Sequence, residues 1–182
     1  IEENIQNGNM YNIRHFWSSI RPNGPQRPHV LDRLELRICD YVSDINLLLA
    51  ITALLELRVI HLFENLETLD PSISSKFSMD QLTKICDQNE INAAQNSLDA
   101  ELTHWRDGKK MICREWIKNI LAELSSTAEK LHMNHLLKPI YKVLDEGNQS
   151  MKWIKQYNEG LSVEDIMKYA IQDMIKSEEE RI

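Results

Sequence analysis

The chain has 182 residues, of which 42% are hydrophobic and 27% charged, and its net charge is -7. That length is enough for one ordinary domain with a core, and the balance is that of a folded rather than a disordered chain. The acidic excess argues against nonspecific binding to nucleic acid or to an anionic membrane surface.

Three cysteines, Cys39, Cys86 and Cys113, lie far apart with no CxxC pair. Neither a zinc site nor a disulfide framework is expected from that spacing, and a reducing cytoplasm is the expected compartment. No basic start followed by a short apolar run marks a secretory signal. The chain opens on Ile1 rather than Met, so the expectation is a portion of something longer.

In chain order, "IRHFWSSI" (13–20) is rich in β-branched and aromatic residues and runs into Arg21-Pro22. Proline lacks an amide donor, so a strand is expected to end, or to lie at an edge, at that point. "RPNGPQRPH" (21–29) is a loop by composition. "RLELRICD" (33–40) then alternates polar and apolar residues, the period of a second strand. Residues two apart on a strand share a face, so Arg33, Glu35 and Arg37 point one way while Leu34, Leu36 and Ile38 point the other. If the two strands pair with their apolar faces on one core, Arg21 joins Glu35 and Arg37.

From Asp44 onward the pattern is helical almost throughout. "INLLLAITALLELRVIHLF" (45–63) is interrupted by Glu56, Arg58 and His61, and its uninterrupted run is too short to span a bilayer. It reads as a helix buried on most of its circumference. Ser78 with Gln81 forms a capping box before a long helical pattern running toward Trp105, which Gly108 breaks. Trp116, Ile117, Ile120, Leu121 and Leu124 fall on one stripe of the next helix. Gly147 stops "HLLKPIYKVLDE", and Ser162 with Asp165 opens a last amphipathic helix. The fold class is therefore α+β and predominantly helical: an antiparallel strand pair within 1–44, followed by five or six helices across 45–182.

The charged strand face has two readings. The plainer one is a ladder of solvated ion pairs contributing about 0.2–1 kcal/mol each. The other is a wall where a carboxylate holds a hard cation and arginines grip phosphate oxygens with paired planar donors. His132 and His135 share a helical spacing but lack a third ligand nearby, and Cys39 reads as packing. Trp105, Trp116 and Trp153 fall at core-like positions. Neither a phosphate-binding glycine loop nor a serine elbow is present.

At this point "FWSSIRPNG" with "RLELRICD" resembles the late catalytic motif of the bacterial carboxylate–amine ligases of the glutamate–cysteine ligase superfamily. The matching residues are Trp17, Arg21-Pro22, Leu34, Glu35, Arg37 and Asp40. "NAAQNSLDAEL" (92–102) resembles that family's segment ending in Leu-Asp-Ala, and "LDEGNQSMKWIKQY" (144–157) its Gly-Asn turn and helix. The wording is closest to the cyanobacterial type of glutamate–cysteine ligase, and the likeness covers nearly the whole chain.

The resemblance implies ATP-dependent joining of the glutamate γ-carboxylate to the amine of cysteine through an acyl phosphate, the first step of glutathione synthesis. It also implies a glutamine-synthetase-like sheet as the floor of the site. By the motif match Glu35 ligates Mg2+, Arg37 contacts ATP at the transferred phosphate, and Arg21 contacts substrate or phosphate. Asn23, Asn92 and Gln95 depart from the family pattern, which opens the choice of amine and acid. The family's other metal carboxylates and much of its ATP site lie upstream, so 1–182 is expected to be the C-terminal portion of a ligase, inactive by itself. Its missing N-terminal part would complete the site, and a homo-oligomer is left open. The competing readings are a noncatalytic helical interaction module and a ligase with a different amine.

Overall fold

The computed structural model describes residues 42–179 and the two strand segments 20–23 and 33–36. The chain divides into two units, Ile1–Tyr41 and Val42–Ile182. In the first, β1 (Ile20–Asn23) and β2 (Arg33–Leu36) form an antiparallel two-stranded ladder. Its register pairs Ile20 with Leu36, Arg21 with Glu35, Pro22 with Leu34 and Asn23 with Arg33. The ladder runs through Pro22, so of the two expected outcomes there, an end or an edge, it is the edge that forms, and residues 21–23, expected in the loop, belong to the strand. A two-stranded ladder leaves each strand one free edge, where a residue without an amide hydrogen costs no pairing. Most of the expected first strand, residues 13–19, lies outside the described residues.

The second unit is helical. Helix α1 (Ile45–Glu64) starts where the Asp44 carboxylate accepts from the amides of Asn46 and Leu47. Two single-turn helices follow, α2 (Leu66–Leu69) and α3 (Pro71–Ser74). Then come α4 (Met79–Asn96), α5 (Cys113–Lys130), α6 (Lys138–Glu146), α7 (Gln149–Asn158) and α8 (Val163–Glu179). The expected capping box forms at Ser78, and at Ser162 a side-chain N-cap forms. Ser78 and Gln81 exchange side-chain bonds with each other's amides, at 3.3 and 2.9 Å. Ser162 Oγ accepts from the Asp165 amide at 3.1 Å and donates to its carboxylate at 2.6 Å. The α+β, predominantly helical class is borne out, with six helices of nine residues or more among the described residues.

The core is built from α1, α5 and α6. Ala50, Ala53 and Leu57 of α1 pack with Leu121, Leu124 and Ala128 of α5 and with Ile140 and Leu144 of α6. Spacings of three and four put each set on one stripe, and the alanines let the helices approach closely. Leu98 and Leu137, on short 3-10 turns, close the cluster.

Two expectations need correction. Helix α1 is not buried on most of its circumference: only Ala50, Ala53 and Leu57 are fully buried, and Leu48, Leu49 and Phe63 are exposed. By length and composition alone it also reaches what a membrane span requires, 20 residues with a mean hydropathy of 1.8 over the test window. The three charge-bearing interruptions are too few, and too near its C-terminal end, to shorten it. Nor does the helical pattern after Ser78 continue toward Trp105. Helix α4 stops at Asn96, and Ser97 takes a left-handed φ of 52° that no helix continues through.

Beyond the 3-10 turn Ser97–Asp99, a second antiparallel pair forms, β3 (Glu101–Thr103) with β4 (Lys110–Ile112). The turn between them needs Gly108 twice over. Its φ is +74°, and a Cβ there would lie 2.8 Å from the Phe77 ring. The turn is tied to the preceding segment: Ser75 Oγ donates to the Trp105 carbonyl and Arg106 Nη2 to that of Thr68, both at 2.8 Å. Trp105 stacks on His104 and Trp116 lies tilted to it, with ring centroids 5.6 and 5.1 Å away.

Candidate functional site

In the first unit the ladder register sets Arg21 directly opposite Glu35. Opposed positions of an antiparallel pair lie on one side of the sheet, with β-carbons about 5 Å apart. This is the register that the apolar-faces-together argument requires, and it joins two of the three expected site residues. The third, Arg37, lies outside the described residues, as do Trp17, Cys39 and Asp40. A guanidinium and a carboxylate on adjacent positions suit a charged, oxygen-rich ligand: the arginine supplies paired donors and the acid one oxygen ligand for a hard cation. Among the described residues no group of three or more His, Cys, Asp or Glu side chains is placed to hold a metal.

In the second unit the two downstream segments that carried the resemblance meet. Asn148, following Gly147 (φ +89°), caps α7 by accepting from the Met151 amide at 3.0 Å. Its Nδ2 donates to Ser97 Oγ at 2.6 Å. The Gly-Asn turn thus holds the residue that opens the Ser97–Ala100 segment, 51 positions earlier in the chain. Asp99 in that segment accepts from Arg114 Nη2 at 3.1 Å, and Ala100 is fully buried. An open groove of about 490 Å³ runs alongside, bounded by Gln95 and Ser97 on one wall and by Met151, Ile154, Lys155 and Glu159 on the other.

The two departures in α4 have different fates. Asn92 is a brace: its Nδ2 donates to the Glu101 carbonyl at 3.0 Å while its Oδ1 accepts from Gln88 at 2.9 Å. Its neighbour Asn89 clamps β3 with both ends of its amide, donating to the Thr103 carbonyl at 2.9 Å and accepting from the Thr103 amide at 2.7 Å. Gln95 instead lines the groove. The Gly-Asn turn was legible in the sequence as a turn-and-cap signal, whereas Asn89, inside a helical run, carried none.

The described thiols offer no nucleophile. Burial, with the nearby Glu90 and Asp87 charges, pushes the Cys86 thiol up, and burial pushes Cys113 up against the opposing pull of Arg114. His132 and His135 are exposed.

Compared with known proteins, the chain matches the family model described as "Glutamate-cysteine ligase family 2(GCS2)" over residues 1–177. No curated protein and no solved structure matches it.

Proposed function

Because the chain belongs to glutamate–cysteine ligase family 2, whose members are ATP-dependent ligases, we propose that it takes part in forming the γ-glutamyl amide of cysteine. The family match, which spans both units, is the observation that carries this reading. The Arg21–Glu35 register supports it, since both residues belong to the motif and stand opposite each other.

In this reading a γ-carboxylate oxygen of glutamate attacks the γ-phosphorus of ATP, and the bond to the ADP oxygen breaks. The amine of cysteine then attacks the acyl carbon and expels phosphate. Phosphoryl transfer of this kind needs positioning and charge neutralisation rather than a protein nucleophile. Arg37 and Arg21 hold the transferred phosphate and the acid substrate against the sheet, in a larger glutamine-synthetase-like floor. Glu35 supplies a ligand to Mg2+, which when bound neutralises phosphate charge. The reading further holds that residues upstream of this chain complete the site, that the 182 residues alone do not turn over, and that the enzyme works in the cytoplasm.

The test is product analysis with glutamate, ATP and a panel of amines, run on full-length protein and on the 182-residue chain. Full-length protein is expected to yield γ-glutamylcysteine with stoichiometric ADP and phosphate, and the 182-residue chain none. Turnover only with another amine would replace cysteine as the substrate. An absence of ligation in the full-length protein would leave the helical interaction module.

A further inference from the structure

Helix α8 is covered poorly for its sequence. Of its seventeen residues only Ile166 is buried. Val163, Met167, Ile171 and Ile175 recur every four positions along one side and are 63%, 48%, 50% and 48% exposed. An amphipathic helix draws its stability mainly from packing its apolar face, so a row of this length implies a partner. The helix is also acidic: Glu164, Asp165, Asp173, Glu178 and Glu179 outnumber Lys168 and Lys176. That charge disfavours an anionic lipid surface, which selects basic amphipathic helices. It disfavours α8 pairing with its own copy as well, because an antiparallel pair centred on Ile171 sets Glu164 level with Glu178 of the second copy.

The complementary surface lies on the same chain. The turn joining α5 to α6, with the helix ends beside it, reads "KLHMNHLLKPIYK" (130–142), with three lysines and no acid in a chain of net charge -7. Lys130, Lys138 and Lys142 are exposed and make no ion pair among the described residues. Beside them Leu131 and Tyr141 are 44% and 50% exposed. An apolar row with an acidic edge matches a segment whose exposed Leu131 and Tyr141 alternate along the chain with unneutralised lysines. We infer that the occupant is a second copy of this chain, with α8 of each copy seated on the α5–α6 turn of the other. Such a reciprocal contact is closed by a two-fold axis and is made twice per dimer. Each α8 is about 25 Å long, and a stable interface needs on the order of 1,200 Å² or more, so both contacts have to form together.

Sedimentation equilibrium of the 182-residue chain over a concentration series tests this. A monomer–dimer equilibrium that weakens with added salt is expected. The exposed double substitution Lys138→Glu with Lys142→Glu should raise the dimer dissociation constant at least ~10-fold, and so should Glu178→Lys with Glu179→Lys. Both pairs combined should restore it, a rescue that loss of folding or a nonspecific charge effect would not produce. Ile171→Asp should leave a monomer with an unchanged far-ultraviolet spectrum. A monomer at every concentration, open-ended growth, indifference to the lysines, or failure of the combined exchange to rescue would each overturn the inference.

Discussion

The β1–β2 ladder and the helical unit use their charged residues in opposite ways. In the ladder, four consecutive pairs carry Arg21 opposite Glu35 and Arg33 opposite Asn23, so charge recurs on one side of a short sheet. In the helical unit the charged groups are mostly exposed and singly paired: Arg58 with Glu123, Arg114 with Asp99, Lys152 with Glu146. Ten apolar residues form its buried cluster. Exposed pairs of that kind contribute little, about 0–1 kcal/mol each, so that unit stands on packing. The ladder, a two-stranded hairpin, contributes little independent stability. On the proposed function, binding chemistry and folding stability rest on different stretches, and substitutions should separate them.

The widest separation is expected at Glu35. In the full-length protein, Glu35→Gln should lower metal-dependent ligation by at least ~100-fold, because a carboxamide neither carries the charge nor binds a hard cation as a carboxylate does. Its unfolding free energy should change by less than about 0.5 kcal/mol. Arg37→Lys should fall in the same direction, since lysine lacks the planar pair of donors. Steady-state ADP release and urea titration on the same preparations check both halves. Undiminished turnover in Glu35→Gln would remove the metal assignment.

The converse comes from the helical core. Leu124 is completely buried between α1 and α6. Leu124→Ala should cost about 2–5 kcal/mol, the lost transfer energy plus the cavity it leaves. Urea unfolding reads that directly. What turnover survives under native conditions should keep the wild-type dependence on Mg2+ and ATP. A changed metal dependence would mean that the two functions are not separable.

The unequal legibility of the chain has the same physical origin. Helices α1, α5, α6 and α8 were visible because apolar spacing, the Ser162–Asp165 box and Gly147 all state the same period and the same ends. The β3–β4 pair was hidden because each strand is three residues long, too short for alternation to declare itself. Its anchors, Asn89, Ser75 and Arg106, bond across 14, 30 and 38 positions. The exposure of α1 was hidden too, since an apolar run states how much surface a helix would bury and not how much its neighbours cover. In the ladder, period-two alternation put Arg21 on the side of Glu35 on the condition that the apolar faces share one core, and the register then sets the two opposite each other. That the pair belongs to a ligase was legible only through resemblance, because one Glu-x-Arg alternation is shared by any solvated strand.

Ser97 gives the smallest effect and a decisive sign. It joins α4 to the Leu-Asp-Ala segment with φ 52° and ψ -130°, a conformation open to glycine and costly to other residues, by about 1–3 kcal/mol. Against that strain stands the 2.6 Å bond from Asn148, with a typical net contribution of about 0.5–1.5 kcal/mol. Ser97→Gly removes both and Ser97→Ala removes only the bond, so their difference isolates the strain. At an ordinary helical or strand position glycine is the less stable of the two by roughly 0.5–1 kcal/mol. Here the order should invert, with Ser97→Gly about 1 kcal/mol more stable than Ser97→Ala in urea unfolding. Should alanine prove the better residue, the left-handed turn relaxes at little cost and Ser97 stores no strain.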